Sequence, residues 1–460
     1  MARRLTTSAV LICLSLAAGA PGALAANAIQ QENSRLGNPD WVIPADAGTV
    51  ITGYASQISL FPGQTAVLHV SAPRGERYRV ALFRLGWYGG VGGRLVLCRP
   101  ACDKTRPAVQ QPPHTAPDPR SGLFFAPWSV TDRIPIPRSA VSGYYEAKLE
   151  VVSGPDAGAV GDVPLIVRAV YPGAAAMLIQ VPVNTWEAYN PWGGKSLYGS
   201  DTDGTHATEV SFDRPFDGQT FHDMGLGLEL PWMRFVERGG YDVSYQTDVD
   251  TDDDPASLLR HRLVFSIGHD EYWTQQMRDA FAAALGHGTN LMFGSNSDLW
   301  RMRYAARSDR RTIVEWRNPY ADPIHDRRFD TGFFRQFGEP ECQLMAVEYQ
   351  EFAQRGLTQP PTAYTVVGPA DDPWLSAAGL GPNDVIPGVV GYEWDSLVPG
   401  CFHGKVVALM HAVYPGSDGV DRSADMARAT APSGAEVLAM GTMELGWALD
   451  DYSGQTPDPR

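Results

Sequence analysis

The stretch Leu263-Val264-Phe265-Ser266-Ile267-Gly268-His269-Asp270-Glu271-Tyr272-Trp273-Thr274 decides the reading of this chain. An apolar run of strand length meets a glycine, three ionisable side chains and then the start of an amphipathic stretch ending at Gly286. This predicts a buried strand, a sharp turn and a helix. In open α/β sheets ligands bind at the carboxyl ends of the strands, so His269, Asp270 and Glu271 stand where chemistry is expected. The plainer alternative is that Asp270 or Glu271 caps a helix starting near Trp273, where a carboxylate satisfies free backbone N–H groups.

Working outward, the same alternation recurs from residue 171 onward. A buried-strand run at 176–183 and helical periodicity over 229–237, closed by Gly239-Gly240, come first. Strands are then predicted at 241–245, 263–267 and 290–293, with further apolar runs at 406–410 and 437–440. Strand and helix alternating in this way predict a doubly wound, largely parallel α/β sheet over 171–460. From 49 to 167 the pattern differs, with short period-two runs separated by Gly, Pro and Ser, and this predicts a small antiparallel β-sandwich over 27–170. Its aromatic stretch Trp87-Tyr88 is expected to fill the junction between the two parts.

Residues 1–26 carry Arg3-Arg4, an apolar stretch and Ala23-Leu24-Ala25, the form of a secretory signal. No later run approaches the roughly 20 apolar residues of a membrane span, so a secreted or periplasmic, non-integral protein is expected. Without Arg3 and Arg4 the balance is 35 basic against 52 acidic residues, a net −17. That charge argues against nucleic acid as a partner, which needs a basic footprint. Four cysteines remain after Cys13 leaves with the signal: Cys98, Cys102, Cys342 and Cys401. Proximity favours Cys98 with Cys102 and leaves Cys342 with Cys401, although three pairings are possible and zinc is the alternative. The acidic run 248–254 lacks the glycine and glutamate of a calcium loop, and an acidic surface loop leading into a helix at Pro255 is expected instead. Neither a His-Glu-x-x-His nor a Gly-x-Ser-x-Gly motif occurs.

Four further segments belong with the opening turn: Ala188-Tyr189-Asn190, Ser196-Leu197-Tyr198, Asn296 ahead of Trp300-Arg301, and Gly391-Tyr392-Glu393-Trp394-Asp395. Together with Gly268 to Trp273 they resemble the C-terminal catalytic domain of the N,N-dimethylformamidase large (beta) subunit, over about residues 171–452. The resemblance implies a glutamine-amidotransferase-like fold whose nucleophile is replaced by one iron ion, Fe3+, held by Tyr189, Tyr198 and Glu271. It further implies His269 as a hydrogen-bonding or proton-transfer group, Asn296 as an orienting or oxyanion group, and Glu393 as general base. Phenolate and carboxylate are hard donors suited to a hard cation, and three ligands leave positions open for water and substrate. The expected function is hydrolysis of a carbon–nitrogen bond in a small amide, and the alternative is a non-catalytic extracellular ligand- or carbohydrate-binding protein. The family's large subunit has a longer region ahead of this domain, works in the cytoplasm and has a small partner subunit. Here the sequence offers a sandwich and a signal, and leaves a small partner or a homo-oligomer equally open.

Overall fold

The computed structural model describes all residues except 1–25, 45–46, 171–174, 200–203, 218–226, 353–361, 392, 416–417 and 451–460. The signal segment therefore lies almost entirely outside the described residues. No described helix is long and apolar enough to cross a membrane.

Two sheets pack face to face in the N-terminal part. Thr52–Ala55, Thr65–Ser71 and Asp132–Pro135 form the smaller, and the larger runs Ser59–Leu60, Pro164–Val167, Gly143–Ser153, Arg77–Leu85, Gly93–Arg99. Alternation dictates the core: Ala66, Leu68 and Val70 point in from one sheet, and Val80, Leu82, Tyr145, Ala147 and Leu149 from the other. The first half of Gly143–Ser153 is buried on its second face as well, because Tyr144 joins Ile179, Trp186 and Tyr245 of the C-terminal part in one continuous core. A sandwich face that would otherwise meet water is thus covered by the sheet beyond it.

That sheet has nine strands: β1 (Met177–Val181), β2 (Val243–Thr247), β3 (Leu263–His269), β4 (Asn290–Ser295), β5 (Thr362–Val366), β6 (Val385–Val390), β7 (Lys405–Pro415), β8 (Asp421–Thr430) and β9 (Glu436–Ala439). Their order is β2-β1-β3-β4-β9-β8-β7-β5-β6. The five strands from β2 to β9 are parallel, whereas β9-β8, β8-β7, β7-β5 and β5-β6 are antiparallel. The expected doubly wound, mostly parallel amidotransferase-like α/β fold is therefore wrong: the sheet is mixed, and strand predominates over helix in the chain. The reason lies in the connections. A parallel pair needs a crossover of a dozen or more residues, whereas β8 and β9 are separated by 431–435 alone, tied by Ala431 N–H to Ala435 O.

Among the described residues, four helices flank the parallel half: α1 (Val183–Tyr189), α2 (Leu230–Arg238), α3 (Asp248–Asp253) and α4 (Gln275–Gly286). The acidic run is a second correction, since it forms α3 and is not a surface loop. Thr247 caps it in a capping box with Asp250, and Asp250 pairs with Arg168 at 2.7 Å and takes a hydrogen bond from Ser59 at 2.7 Å. Its charge is spent holding the sandwich to the sheet. The same junction contains Arg84, fully buried, which donates to both oxygens of Glu237 at 2.7 and 3.0 Å. Trp87 lies there too, under the guanidinium groups of Arg234 and Arg238 at 5.0 and 5.2 Å. Both expected disulfides are present, Cys98 with Cys102 and Cys342 with Cys401.

Candidate functional site

The carboxyl end of β3 is built around one glycine. Ser266 pairs with Phe293 of β4, but the next pair is His269 with Ser295, so β3 carries one residue more than its neighbour. Gly268 absorbs this bulge at φ 68°. A side chain there would meet Glu229 Cγ at 2.8 Å, and one at Gly294 would meet the Gly268 carbonyl at 2.1 Å. Bulges re-aim side chains next to functional sites, and this one turns His269 toward the strand ends. Residues Tyr272–Trp273 then pair in parallel with Trp300–Arg301 before α4 begins. The helix is capped by Thr274, which accepts from the Met277 N–H, so neither Asp270 nor Glu271 serves as the cap.

Asp270 faces inward. It accepts from Gln180 Nε2 at 2.7 Å and Ser266 Oγ at 2.8 Å, and burial pushes its carboxyl up to about 6. Its work is to hold the turn. Glu271 is different: three proton donors converge on its carboxylate. Tyr198 Oη donates at 2.6 Å, Tyr189 Oη lies 3.1 and 3.2 Å from the two oxygens, and His269 Nε2 is 2.8 Å away. Tyr189 ends α1, directly beyond β1, and its ring stacks on that of Tyr198 at 4.0 Å between centroids. Tyr198 is 40% exposed as a residue, while its hydroxyl is turned inward onto Glu271 and Tyr272.

Glu393 opens the strand Glu393–Leu397. Its Oε2 lies 3.5 Å from His269 Nε2 and also accepts from Asn296 Nδ2. Asn296 adopts φ 53°, and its backbone N–H donates to the Asp395 carboxylate at 3.2 Å. The ligand atoms of His269, Glu271 and Glu393 all lie within 4.8 Å of one another. The structure thus brings together all six residues singled out in the sequence: Tyr189, Tyr198, His269, Glu271, Asn296 and Glu393.

The electrostatics are those of a crowded, buried cluster of acids. Burial opposes charge on His269, yet the Glu271 and Glu393 carboxylates push it up to about 10. Against the pull of burial, His269 and the hydrogen bond from Tyr198 hold Glu271 below its ordinary value of 4.5. Burial and the neighbouring Glu271 charge raise the phenols of Tyr189 and Tyr198 well above 10.0. Both therefore stay protonated unless a cation replaces their protons.

Sequence reasoning assigned no role to Tyr272, Asp395, Arg317 or Glu229. The first two stand inside the quoted motifs. Arg317 reaches Tyr272 Oη at 2.7 Å from a loop at φ 57°, and nothing in the periodicity marks it. Glu229 accepts from Trp186 Nε1 at 2.7 Å and from Tyr144 Oη. Of the polar segment 201–206 that follows Tyr198, 201–203 lie outside the described residues, and His206 is exposed.

Residues 79–458 match the family described as N,N-dimethylformamidase beta subunit-like, C-terminal. The match begins within the sandwich, in Arg77–Leu85. A comparison with curated proteins returns no match. Among solved structures, domain 1 of VCBP3 from Branchiostoma floridae is 8% identical, covers 26% of this chain and 96% of its own length, and gives a TM-score of 0.17.

Proposed function

The chain belongs to the N,N-dimethylformamidase beta subunit-like C-terminal family, and on that premise we propose that it hydrolyses the carbon–nitrogen bond of a small amide at this cluster, using a ferric ion held by Tyr189, Tyr198 and Glu271. The observation that carries the reading is the convergence of two phenol hydroxyls on one carboxylate, within 3.2 Å, beside a second carboxylate and an imidazole. A packing role for the two rings does not require their hydroxyls to meet at a buried acid. The donor set fits the group: three hard oxygens already clustered, with phenols whose protons a trivalent cation would displace. Such an ion, when bound, supplies Lewis acidity toward an amide carbonyl and toward water.

The chain's own residues supply the proton transfers. Hydrolysis adds water oxygen to the carbonyl carbon and breaks the bond to nitrogen, so one proton must leave the water and one must reach the departing amine. Glu393 receives the first, and Asn296 Nδ2, which donates to Oε2, holds its carboxylate in place. His269 spans Glu271 and Glu393 through the same Nε2, at 2.8 and 3.5 Å, and holds the proton that is passed on to nitrogen. Asn296 is assigned the orienting role because its amide is committed to Glu393.

Export is part of the same proposal. The signal-like N-terminus and two disulfides, which persist in oxidising compartments, support it.

Protein purified without chelators is expected to contain about one iron per chain and to absorb visible light by phenolate-to-metal charge transfer. Tyr189→Phe and Tyr198→Phe should each reduce the band and the occupancy. A metal-loaded protein with no such band would overturn tyrosine ligation and point to His269, Glu271 and Glu393 as the ligands. A folded, metal-free protein would favour the binding-protein alternative.

A further inference from the structure

The two tyrosines of the site are not equivalent. Among the described residues, the Tyr189 hydroxyl has Glu271 as its hydrogen-bond partner. The Tyr198 hydroxyl instead ends a chain: Arg317 Nη2 donates to Tyr272 Oη at 2.7 Å, Tyr272 Oη donates to Tyr198 Oη at 2.7 Å, and Tyr198 Oη donates to Glu271 at 2.6 Å. Arg317 also lies on the face of the same ring, its guanidinium carbon 3.9 Å from the Tyr198 centroid and 4.6 Å from that of Trp300. Trp300 is backed in turn by Phe333 at 3.9 Å between centroids. The parallel pairing of Tyr272–Trp273 with Trp300–Arg301 sets Tyr272 and Trp300 side by side. The Arg317 backbone N–H is anchored to Glu315 Oε1 at 2.6 Å.

We infer that Arg317 is a positioning residue that, through Tyr272 and by stacking on Tyr198, sets the donor strength of Tyr198 alone and so makes the two tyrosine ligands electronically unequal. This rests on the metal reading proposed above. The physical reason is direct. A cation on the face of an aromatic ring is attracted to its π electrons, and the attraction grows when the ring oxygen is an anion. A hydrogen bond arriving from Tyr272 withdraws further charge from that oxygen. Tyr198 then becomes the weaker donor, and an ion bound there keeps more of its acidity toward substrate. A flat guanidinium is required, since it must lie between Tyr198 and Trp300 and still direct an N–H at Tyr272, which a lysine ammonium cannot reproduce.

The test is the visible spectrum of the iron-loaded full chain, with iron affinity measured by chelator competition. Removing the cation or its hydrogen bond raises the energy of the phenolate electrons, so the charge-transfer band should move to longer wavelength in Arg317→Met and in Tyr272→Phe. Arg317→Lys, which retains the charge without the plane, should fall between Arg317→Met and the unaltered protein. Chelator competition fixes the conditions under which each variant is fully loaded, so that bands are compared at equal occupancy. Tyr272→Phe removes one hydroxyl and keeps the ring, so it serves where Arg317→Met does not fold. A band unmoved in Tyr272→Phe at equal occupancy overturns the inference and leaves the metal reading standing. Absence of any band from the unaltered protein overturns both.

Discussion

Two buried glutamates separate what holds this protein together from what it is built to do. Glu237, at the junction of the sandwich and the sheet, faces a guanidinium: Arg84 donates to both its oxygens, with Tyr245 Oη and Asn33 Nδ2 at 3.0 and 2.8 Å completing the shell. Glu271 faces two phenols and an imidazole. The first carboxylate is neutralised by a group that cannot lose its charge. The second is surrounded by groups that can each give up a proton. A cation can enter the second arrangement by displacing protons, whereas in the first the fixed charge of Arg84 already engages both oxygens beside the single phenol of Tyr245. Burial and strong hydrogen bonding are common to both, so neither property identifies a functional site, whereas the exchangeability of the partners does.

If that contrast is right, the largest effect should come from the residue placed to accept a proton in turnover. Glu393→Gln keeps the shape and the contact with Asn296 but accepts no proton, so amide hydrolysis is expected to fall roughly 10²- to 10⁴-fold with iron content unchanged. Near-normal turnover in this variant would remove Glu393 from the mechanism and leave the cluster as a binding site only. The matching change at the junction should behave in the opposite way. Arg84→Met strands the Glu237 charge in the core, and breaking a buried pair by removing one partner costs about 3–5 kcal/mol. Urea unfolding should register that loss, while whatever protein remains folded should load iron as before. A fall in iron affinity of the folded fraction would mean the junction and the site are coupled and the contrast is too sharp.

How much of this was legible in the sequence differs between the two halves of the sheet. The parallel strands announce themselves as unbroken apolar runs such as Leu291-Met292-Phe293, because both faces are covered. With them come the turns at their ends, and thus five of the six site residues, each next to a parallel strand or the segment following it. The antiparallel half is nearly silent. Asp421-Arg422-Ser423-Ala424-Asp425-Met426-Ala427-Arg428-Ala429-Thr430 offers alanine where a strand is expected to carry branched side chains, and Arg428 is half-buried with Asp372 at 2.6 Å and Glu436 at 3.4 Å. The edge strand Val385–Val390 contains proline and glycine. With those strands unseen, a mixed sheet was read as a mostly parallel one. Glu393, at the start of a strand outside the main sheet, was reachable only through the family resemblance. Arg317 was not reachable at all, because its position depends on a left-handed loop residue and three aromatic neighbours far apart in sequence.

The smallest expected effect tests whether the sandwich is part of the catalytic unit or a passenger on it. Tyr144 belongs to the sandwich, yet its hydroxyl donates to Glu229, which packs against the one glycine whose bulge aims His269. Burial raises the Glu229 carboxyl well above its ordinary value, with the hydrogen bonds from Tyr144 and Trp186 opposing that rise. Tyr144→Phe keeps the ring in the shared core and removes one of the two hydrogen bonds, so the loss in stability should be about 1 kcal/mol, the usual net worth of such a bond. Its effect on the site is the informative part. Glu229, left with Trp186 alone, is freer to shift against Gly268, and His269 follows from the next position along the strand. Turnover should then fall a few-fold with iron content intact, a modest change of the kind produced when a supporting contact is lost and the ligands are kept. A variant that loses stability but turns over normally would show that the sandwich only covers the sheet. The family match, which begins at residue 79, inside the sandwich, favours the first outcome, since it treats the strand Arg77–Leu85 as belonging to the same unit as the site.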